Sequence, residues 1–267
     1  MGISNRLADT FAQLRADKRP GLVTYTTAGD PDLPRSGEIL KALDRAGADV
    51  LEVGVPFSDP LADGPVIQRA TERALAAGGS LRTALALIAD VRPVVSAPIV
   101  VFTYANPLLR LGMDTFARQA AEAGVDGVLV LDLPIEEAGG FRETLAAVSV
   151  DMIFLLSPTT TDARIQKAAE LGRGFLYGIS RLGVTGARDQ VAASASELAA
   201  RVRGVTTLPF ALGFGVSRPD HVQDIGRIAD AAVVGSAIVS EIEKLANSPD
   251  LVKRIGEFAR FLVAPAG

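Results

Sequence analysis

Eight short apolar runs rich in Val, Ile and Leu recur along the chain, separated by segments with helical spacing, and each ends in Gly, Pro, Ser, Thr, Asn or Asp. In order they are GLVTYTTAG from Gly21, ADVLEVG from Ala48, PIVVFTY from Pro98, GVDGVLVLDLP from Gly124, MIFLLSP from Met152, FLYGIS from Phe175, PFALGFG from Pro209 and AAVVGSA from Ala231. Several of the intervening segments, such as DLPRSGEILKALDRAGA, DTFARQAAEAG and DARIQKAAELG, open on Asp and run into a Gly; RPDHVQDIGRIAD is a fourth helical pattern. Strand followed by helix, eight times, predicts an α/β chain folded as a closed (β/α)8 TIM barrel with its helices outside. Additional helices are expected at 5–17, the N-terminal one, and at 67–77 and 249–264. A doubly wound open sheet is the alternative, but it normally carries a nucleotide fingerprint after the first strand, where this chain has TTAGDPDLP. No linker-like shift in composition interrupts the chain, so residues 1–267 read as a single domain.

The residue inventory then narrows the chemistry. With no cysteine, the chain has no disulfide, thiolate nucleophile or Cys-ligated zinc, and a reducing compartment is expected. Its single histidine, His221, follows SRPD in a helical pattern and reads as a solvent-exposed surface residue. Histidine-rich metal ligation cannot be assembled, and a Ser-His-Asp hydrolase is disfavoured. Lys18, Lys41, Lys167, Lys244 and Lys253 all fall in helical patterns rather than at strand ends, which argues against imine-forming aldolase chemistry. A pI near 5.2, a net charge of -4 and the lack of a dense Lys/Arg run exclude the footprint of a nucleic-acid or anionic-membrane binder. The N-terminal stretch MGISNRLADTFAQLRADKRPG is amphipathic rather than signal-like, and no stretch reaches membrane-spanning length. The cytoplasm is the expected location.

What remains is proton transfer by carboxylates, and one strand offers a candidate. Side chains alternate along VLEVGV, so Leu51, Val53 and Val55 share one face while Val50, Glu52 and Gly54 share the other. If the larger apolar residues meet the helices, Glu52 points into the barrel. Burial there raises its pKa toward neutrality, where it can both give and take a proton. A structural glutamate bonded to neighbouring backbone or a hydroxyl is the plainer alternative. Asp63, in the loop after the same strand, gains its functional reading from Glu52; alone it is a turn residue in ADGP.

Three glycine loops close consecutive late strands: GVTG at 183–186, GFG at 213–215 and GSA at 235–237, the last opening a helix. Glycines let backbone N–H groups approach an oxyanion, and a helix N-terminus adds favourable partial charge, so these loops read as a phosphate cradle. Tyr25, Phe102, Tyr104, Leu129 and Tyr177 belong to strand runs and either line an apolar ligand site or are plain core. The residues together point to a phosphorylated substrate with an apolar portion, worked on by two carboxylates.

LEVGVPFSDPLADGP closely resembles the most diagnostic stretch of the tryptophan synthase α subunit family. FTYANP at 102–107, LVLDLP at 129–134, ISRLGVTGAR at 179–188, LGFGVS at 212–217 and VVGSAIV at 233–239 match it in order over nearly the whole chain. The resemblance implies a (β/α)8 barrel that cleaves indole-3-glycerol phosphate to indole and glyceraldehyde 3-phosphate. By the same resemblance, Glu52 is the general acid-base residue and Asp63 accepts the indole N–H. Tyr177 stands near Glu52, and Tyr25, Phe102 and Leu129 line the indole pocket. Gly186, Gly215, Gly235 and Ser236 hold the phosphate, with Gly213 and Phe214 beside them. Residues 180–190 resemble a mobile lid whose Thr185 reaches Asp63 on closure, with Arg181 and Arg188 as contacts to phosphate or lid anchor.

The resemblance also implies a pyridoxal-phosphate β subunit as partner in an αββα heterotetramer, receiving indole through a tunnel, with no cofactor in this chain. Pro56, Asp59, Pro60 and Asn106 match the family's interface loops, and docking there is expected to order the lid. Leu182, Val66 and Tyr25 depart from commoner choices, Ser or Thr, Thr, and Phe respectively. Tyr25 adds a hydroxyl that weakens indole binding unless it is satisfied. Three rival functions are weighed: a free-standing indole-3-glycerol phosphate lyase, another phosphosugar barrel such as an isomerase, and a non-catalytic phosphate-binding regulator of a partner.

Overall fold

A computed structural model describes residues 5–179, 188–213 and 215–264. Eight parallel strands close into a barrel in sequence order: β1 Gly21–Thr27, β2 Val50–Gly54, β3 Ile99–Thr103, β4 Gly127–Val130, β5 Asp151–Leu156, β6 Leu176–Ile179, β7 Phe210–Gly213 and β8 Ala231–Val234. β1 pairs with both β2 and β8, which closes the ring and leaves no open edge. The doubly wound alternative is excluded by that closure. The helices are α1 Arg6–Ala16, α2 Leu33–Arg45, α3 Pro65–Ala76, α4 Leu81–Val91, α5 Ala105–Leu111, α6 Met113–Ala123, α7 Gly139–Ala147, α8 Asp162–Leu171, α9 Arg188–Arg203, α10 Pro219–Gly226, α11 Ser236–Leu245 and α12 Leu251–Val263. The three additional helices expected from the sequence are α1, α3 and α12.

Local signals explain the boundaries. Asp32 caps α2 by accepting the Arg35 N–H, Thr161 does the same for α8, and Ser80 and Thr83 form a reciprocal capping box on α4. Gly124 ends α6 in the left-handed conformation. The fourth apolar run, eleven residues long in the sequence, contains a strand only at Gly127–Val130, because Gly124 is spent on that helix cap and the chain turns after Val130.

Strand alternation sorts the core into two layers. Leu51, Val53, Ile99, Val101, Val128, Leu176 and Leu212 face the helices, in one cluster with Leu40, Leu43, Ile88, Phe116 and Ile255. Val23, Val50, Val100, Leu129, Ile153, Tyr177, Ala211 and Val233 fill the barrel interior. Leu7, Phe11 and Leu14 of α1 join that inner cluster, with Phe11 packed on Phe175 at 5.4 Å between ring centroids. The N-terminal helix therefore plugs the barrel from the end where the strands begin.

The same end is fastened by aspartates that stand just before even-numbered strands. Asp49 accepts the Leu22 N–H of β1 and pairs with Arg19. Asp126 accepts the Ile99 N–H of β3 and pairs with Arg6 and Arg92. Asp230 accepts the Phe210 N–H of β7 and pairs with Arg203. Each carboxylate satisfies a donor in the first two residues of the preceding strand, which would otherwise be an orphan at the sheet margin. Structural carboxylates thus hold the margin of the sheet at the strand N-termini, the end opposite the barrel mouth.

Candidate active site

At the C-terminal mouth a cavity of about 300 Å³ is lined by Tyr25, Asp63, Ile67, Phe102, Tyr177, Ile179, Gly213, Gly215, Val216, Val233, Gly235, Ser236 and Ala237. Volume alone does not pick out the site: a groove of about 340 Å³ lies in the outer layer between α2 and α4, with Glu38, Lys41 and Asp90 on its walls. The mouth cavity differs in having a perturbed acid, aromatic side chains and a helix N-terminus on its wall.

Glu52 sits in β2 opposite Tyr25 of β1 and Val100 of β3, on the inner face that the period-two pattern assigns to it. It is 0% exposed, and neither carboxylate oxygen has a hydrogen-bond partner among the described residues. The structural alternative, a glutamate bonded to a neighbour, is therefore not what the fold provides. Burial pushes its carboxyl up to about 8, because nothing in reach compensates the charge. Tyr25, Phe102 and Tyr177 form the aromatic surroundings: Tyr25 meets Phe102 edge-on at 5.3 Å, and Phe102 lies 6.4 Å from Tyr177. The charge of Glu52 in turn adds to burial in raising the Tyr177 phenol.

Asp63 lies half-buried in the loop between β2 and α3. The Tyr104 hydroxyl donates to its Oδ2 at 3.1 Å and accepts the Ala62 N–H at 3.0 Å, while the Asp63 carbonyl takes the Gln68 side-chain amide at 2.9 Å. Burial lifts the Asp63 carboxyl to about 6, and the Tyr104 hydrogen bond holds it from rising further. The two acids are thereby set apart, one protonated and one ionised at neutral pH.

Gly213, Gly215, Gly235 and Ser236 come together on the cavity wall as the sequence suggests. Gly215 has φ +61°, which favours glycine, and α11 begins at Ser236, so its N-terminal residues stand on the cavity wall. Helix α11 is clamped to α3, which follows the Asp63 loop, by a charged lattice. Arg69 binds Glu243 through two bonds of 2.7 and 2.8 Å, and Arg73 binds Asp30 through two of 2.8 and 2.9 Å while also reaching Glu243 at 2.9 Å.

Other expected site residues fall differently. Leu129, opposite Phe102 in the register of β3 and β4, is fully buried in the inner core, and like the fully buried Glu52 it is not among the residues on the cavity wall. Thr185, Gly186, Phe214 and Arg181 lie outside the described residues, and the lid expected at 180–190 is described only where α9 begins. Of the interface residues, Asp59 and Asn106 are exposed and Pro60 is half-buried. Pro56 is buried, and a side chain at Gly79 would meet its ring at 2.9 Å, so it shapes the loop from within. His221 is half-buried rather than exposed, its Nδ1 accepting the Ser217 N–H at 3.4 Å. Tyr104, the partner of Asp63, was legible only as a strand-run aromatic. Ile67, Ile179, Val216 and Val233 carried no signal beyond ordinary hydrophobicity. Among the described residues no cluster of three or more His, Cys, Asp or Glu could hold a metal ion, and no single helix is long and apolar enough to cross a membrane.

Residues 11–262 match the family described as Tryptophan synthase alpha chain. The chain belongs to that family. The tryptophan synthase alpha chain of Geobacter sulfurreducens is 46% identical over 258 residues, covering 97% of both chains, and that of Solibacter usitatus is 44% identical over 257 residues, covering 96% of both. Among solved structures, tryptophan synthase subunit alpha from Legionella pneumophila superposes with a TM-score of 0.88 at 34% identity, covering 98% of each chain. A chain of Mycobacterium tuberculosis tryptophan synthase superposes with a TM-score of 0.87 at 40% identity, covering 97% of this chain and 99% of that one. Membership in the tryptophan synthase alpha chain family makes this an enzyme family of tryptophan synthesis and favours a partnered subunit over a free-standing lyase, isomerase or regulator.

Proposed function

We propose that the chain cleaves indole-3-glycerol phosphate to indole and D-glyceraldehyde 3-phosphate, with Glu52 and Asp63 as its catalytic residues. The observation that carries this reading is a Tyr104-held Asp63 on the cavity wall together with a buried, unpartnered Glu52 that lies opposite Tyr25, itself a wall residue of the same cavity. Protonated Glu52 delivers its proton to indole C3, which turns the ring into an electron sink. The resulting carboxylate takes the proton of the neighbouring side-chain hydroxyl, the bond to C3 breaks, and its electron pair flows to the ring nitrogen. Glu52 ends the cycle protonated, as it began, so one residue serves as acid and then as base. Ionised Asp63 accepts the indole N–H and stabilises the positive charge that develops on the ring.

The α11 N-terminus with Gly213, Gly215, Gly235 and Ser236 would hold the phosphate, joined by Gly186 and Phe214. Thr185 would close the lid onto Asp63. Binding energy at the phosphate end fixes the reacting carbons over Glu52, which is where such remote contacts raise rate. The carbon–carbon lyase class follows from this chemistry.

The proposed partner is a tryptophan synthase β subunit in an αββα assembly, which would hold the pyridoxal phosphate and receive the indole. Asp59, Pro60 and Asn106 border the mouth, and the adjacent Leu61 and Leu109 are 93% and 61% exposed, the kind of apolar surface that a partner covers. The closed strand ring and the family match over residues 11–262 support reading the chain as one domain.

Indole release from indole-3-glycerol phosphate should be measured for the wild type, Glu52→Gln and Asp63→Asn, each with and without a β subunit. Loss of at least roughly 100-fold in both variants, with wild type stimulated by the partner, is the expected result. Absence of wild-type release under both conditions would overturn the reading.

A further inference from the structure

Position 25 carries a tyrosine where the family resemblance leads one to expect phenylalanine, and the fold has made room for the extra oxygen. The ring lies between two glycines on the neighbouring strand ends. A side chain at Gly54 would stand 2.1 Å from the Tyr25 hydroxyl, and one at Gly235 would meet the Tyr25 Cβ at 3.5 Å. The hydroxyl thus occupies, on the inner wall of β2, the volume that a side chain at position 54 would fill. That wall runs from Glu52 toward the loop carrying Asp63, and Tyr25 and Asp63 line the same cavity. The negative charges of Asp63 and Glu52 both add to burial in holding the phenol in its protonated, donor form.

The donor is poorly used within the protein. Among the described residues its one hydrogen-bond partner is the Thr27 hydroxyl at 3.5 Å, the limit of a hydrogen bond. A phenol buried with so weak a contact carries a desolvation cost that a ligand acceptor can relieve. An unsubstituted indole with its N–H on Asp63 presents only carbon-bound hydrogen on the adjoining edge, and so leaves the hydroxyl unrelieved.

We infer that the Tyr25 hydroxyl is a specificity-determining donor in the ring subsite, selecting bicyclic heteroaromatics that carry an acceptor on the edge next to the ring N–H. The inference rests on the proposed placement of the indole N–H at Asp63. Such a ring is gripped by two complementary bonds, N–H to Asp63 and Tyr25 O–H to the acceptor. 7-Azaindole, whose pyridine nitrogen adjoins its N–H, is the simplest probe, since it matches indole in shape and differs at that one edge.

Equilibrium titration of the full chain with indole and with 7-azaindole, for the wild type, Tyr25→Phe and Asp63→Asn, tests it, with wild-type indole release from indole-3-glycerol phosphate measured in parallel. Tyr25→Phe is expected to weaken 7-azaindole relative to indole by roughly two- to tenfold, the range of one hydrogen bond, with indole itself held as well or better. Asp63→Asn should weaken both ligands. A Tyr25→Phe variant that shifts both affinities by the same factor, or neither, overturns the inference while indole release leaves the proposed function standing. Wild-type protein that binds neither ring and releases no indole overturns both.

Discussion

Glu52 owes its chemistry to what does not surround it. A carboxyl wholly buried without a donor stays protonated to about 8, while Asp63, eleven residues on, is ionised above about 6 because Tyr104 donates to it and solvent still reaches its loop. If catalysis begins with Glu52 protonated and Asp63 ionised, kcat/KM should rise with pH through about 6 and fall through about 8. The rising limb reports loss of the Asp63 proton and the falling limb loss of the Glu52 proton. Tyr104→Phe removes the bond that holds the Asp63 carboxyl down, so the rising limb should move to higher pH with the falling limb in place. A pH–rate profile of wild type and Tyr104→Phe checks both signs, and a rising limb that stays where it was would separate Tyr104 from the acid.

Among the elements, the two ends of the strands divide the labour. At the N-terminal end Asp126 accepts the Ile99 N–H and bridges Arg6 of α1 to Arg92 at the end of α4, tying the plug helix to the barrel. Asp126→Ala should lower stability by about 2–4 kcal/mol, since it strands a backbone donor and removes the ion pair of a mostly buried guanidinium, which keeps its bonds to the Val95 and Ala97 carbonyls. It should leave kcat nearly unchanged, because the site opens at the other end. Urea unfolding and indole release, measured on the same variant, check the two halves of that statement. At the C-terminal end, the lattice of Arg69, Arg73, Asp30 and Glu243 clamps the helix behind the phosphate glycines to the helix that follows the Asp63 loop. In the proposed site, both ends of the substrate would thus be referred to one clamped pair of helices.

At the scale of the whole molecule, the segments after β2 and β3 carry two exposed apolar side chains, Leu61 and Leu109. Leu61 and Leu109 stand beside Asp59 and Asn106, so a partner seated there would lie against the loop that carries Asp63. Asp59 is exposed, its carboxylate accepts only the adjacent Ser58 hydroxyl among the described residues, and it is not on the cavity wall. Asp59→Ala should leave the isolated chain's activity intact and weaken β-subunit stimulation, with affinity falling by roughly tenfold. Titrating the β subunit against both forms of the chain measures this. Equal stimulation of the two would remove Asp59 from the interface.

The barrel, the inward face of Glu52 and the glycine loops were legible in the residues because each depends on neighbours a few positions apart. Alternation along VLEVGV decides which side chains face inward, and strand–helix repetition decides closure. The tertiary structure alone decided the rest. Tyr104 and Asp63 are 41 residues apart and meet across two loops; Leu129 is buried in the inner core; Pro56 turns inward; and the Tyr25 hydroxyl finds its space only because Gly54 is the residue beside it on the next strand. Periodicity is a property of the chain, whereas burial, hydrogen-bond partners and the acidities they set are properties of distances between distant segments, which exist only once the ring has closed.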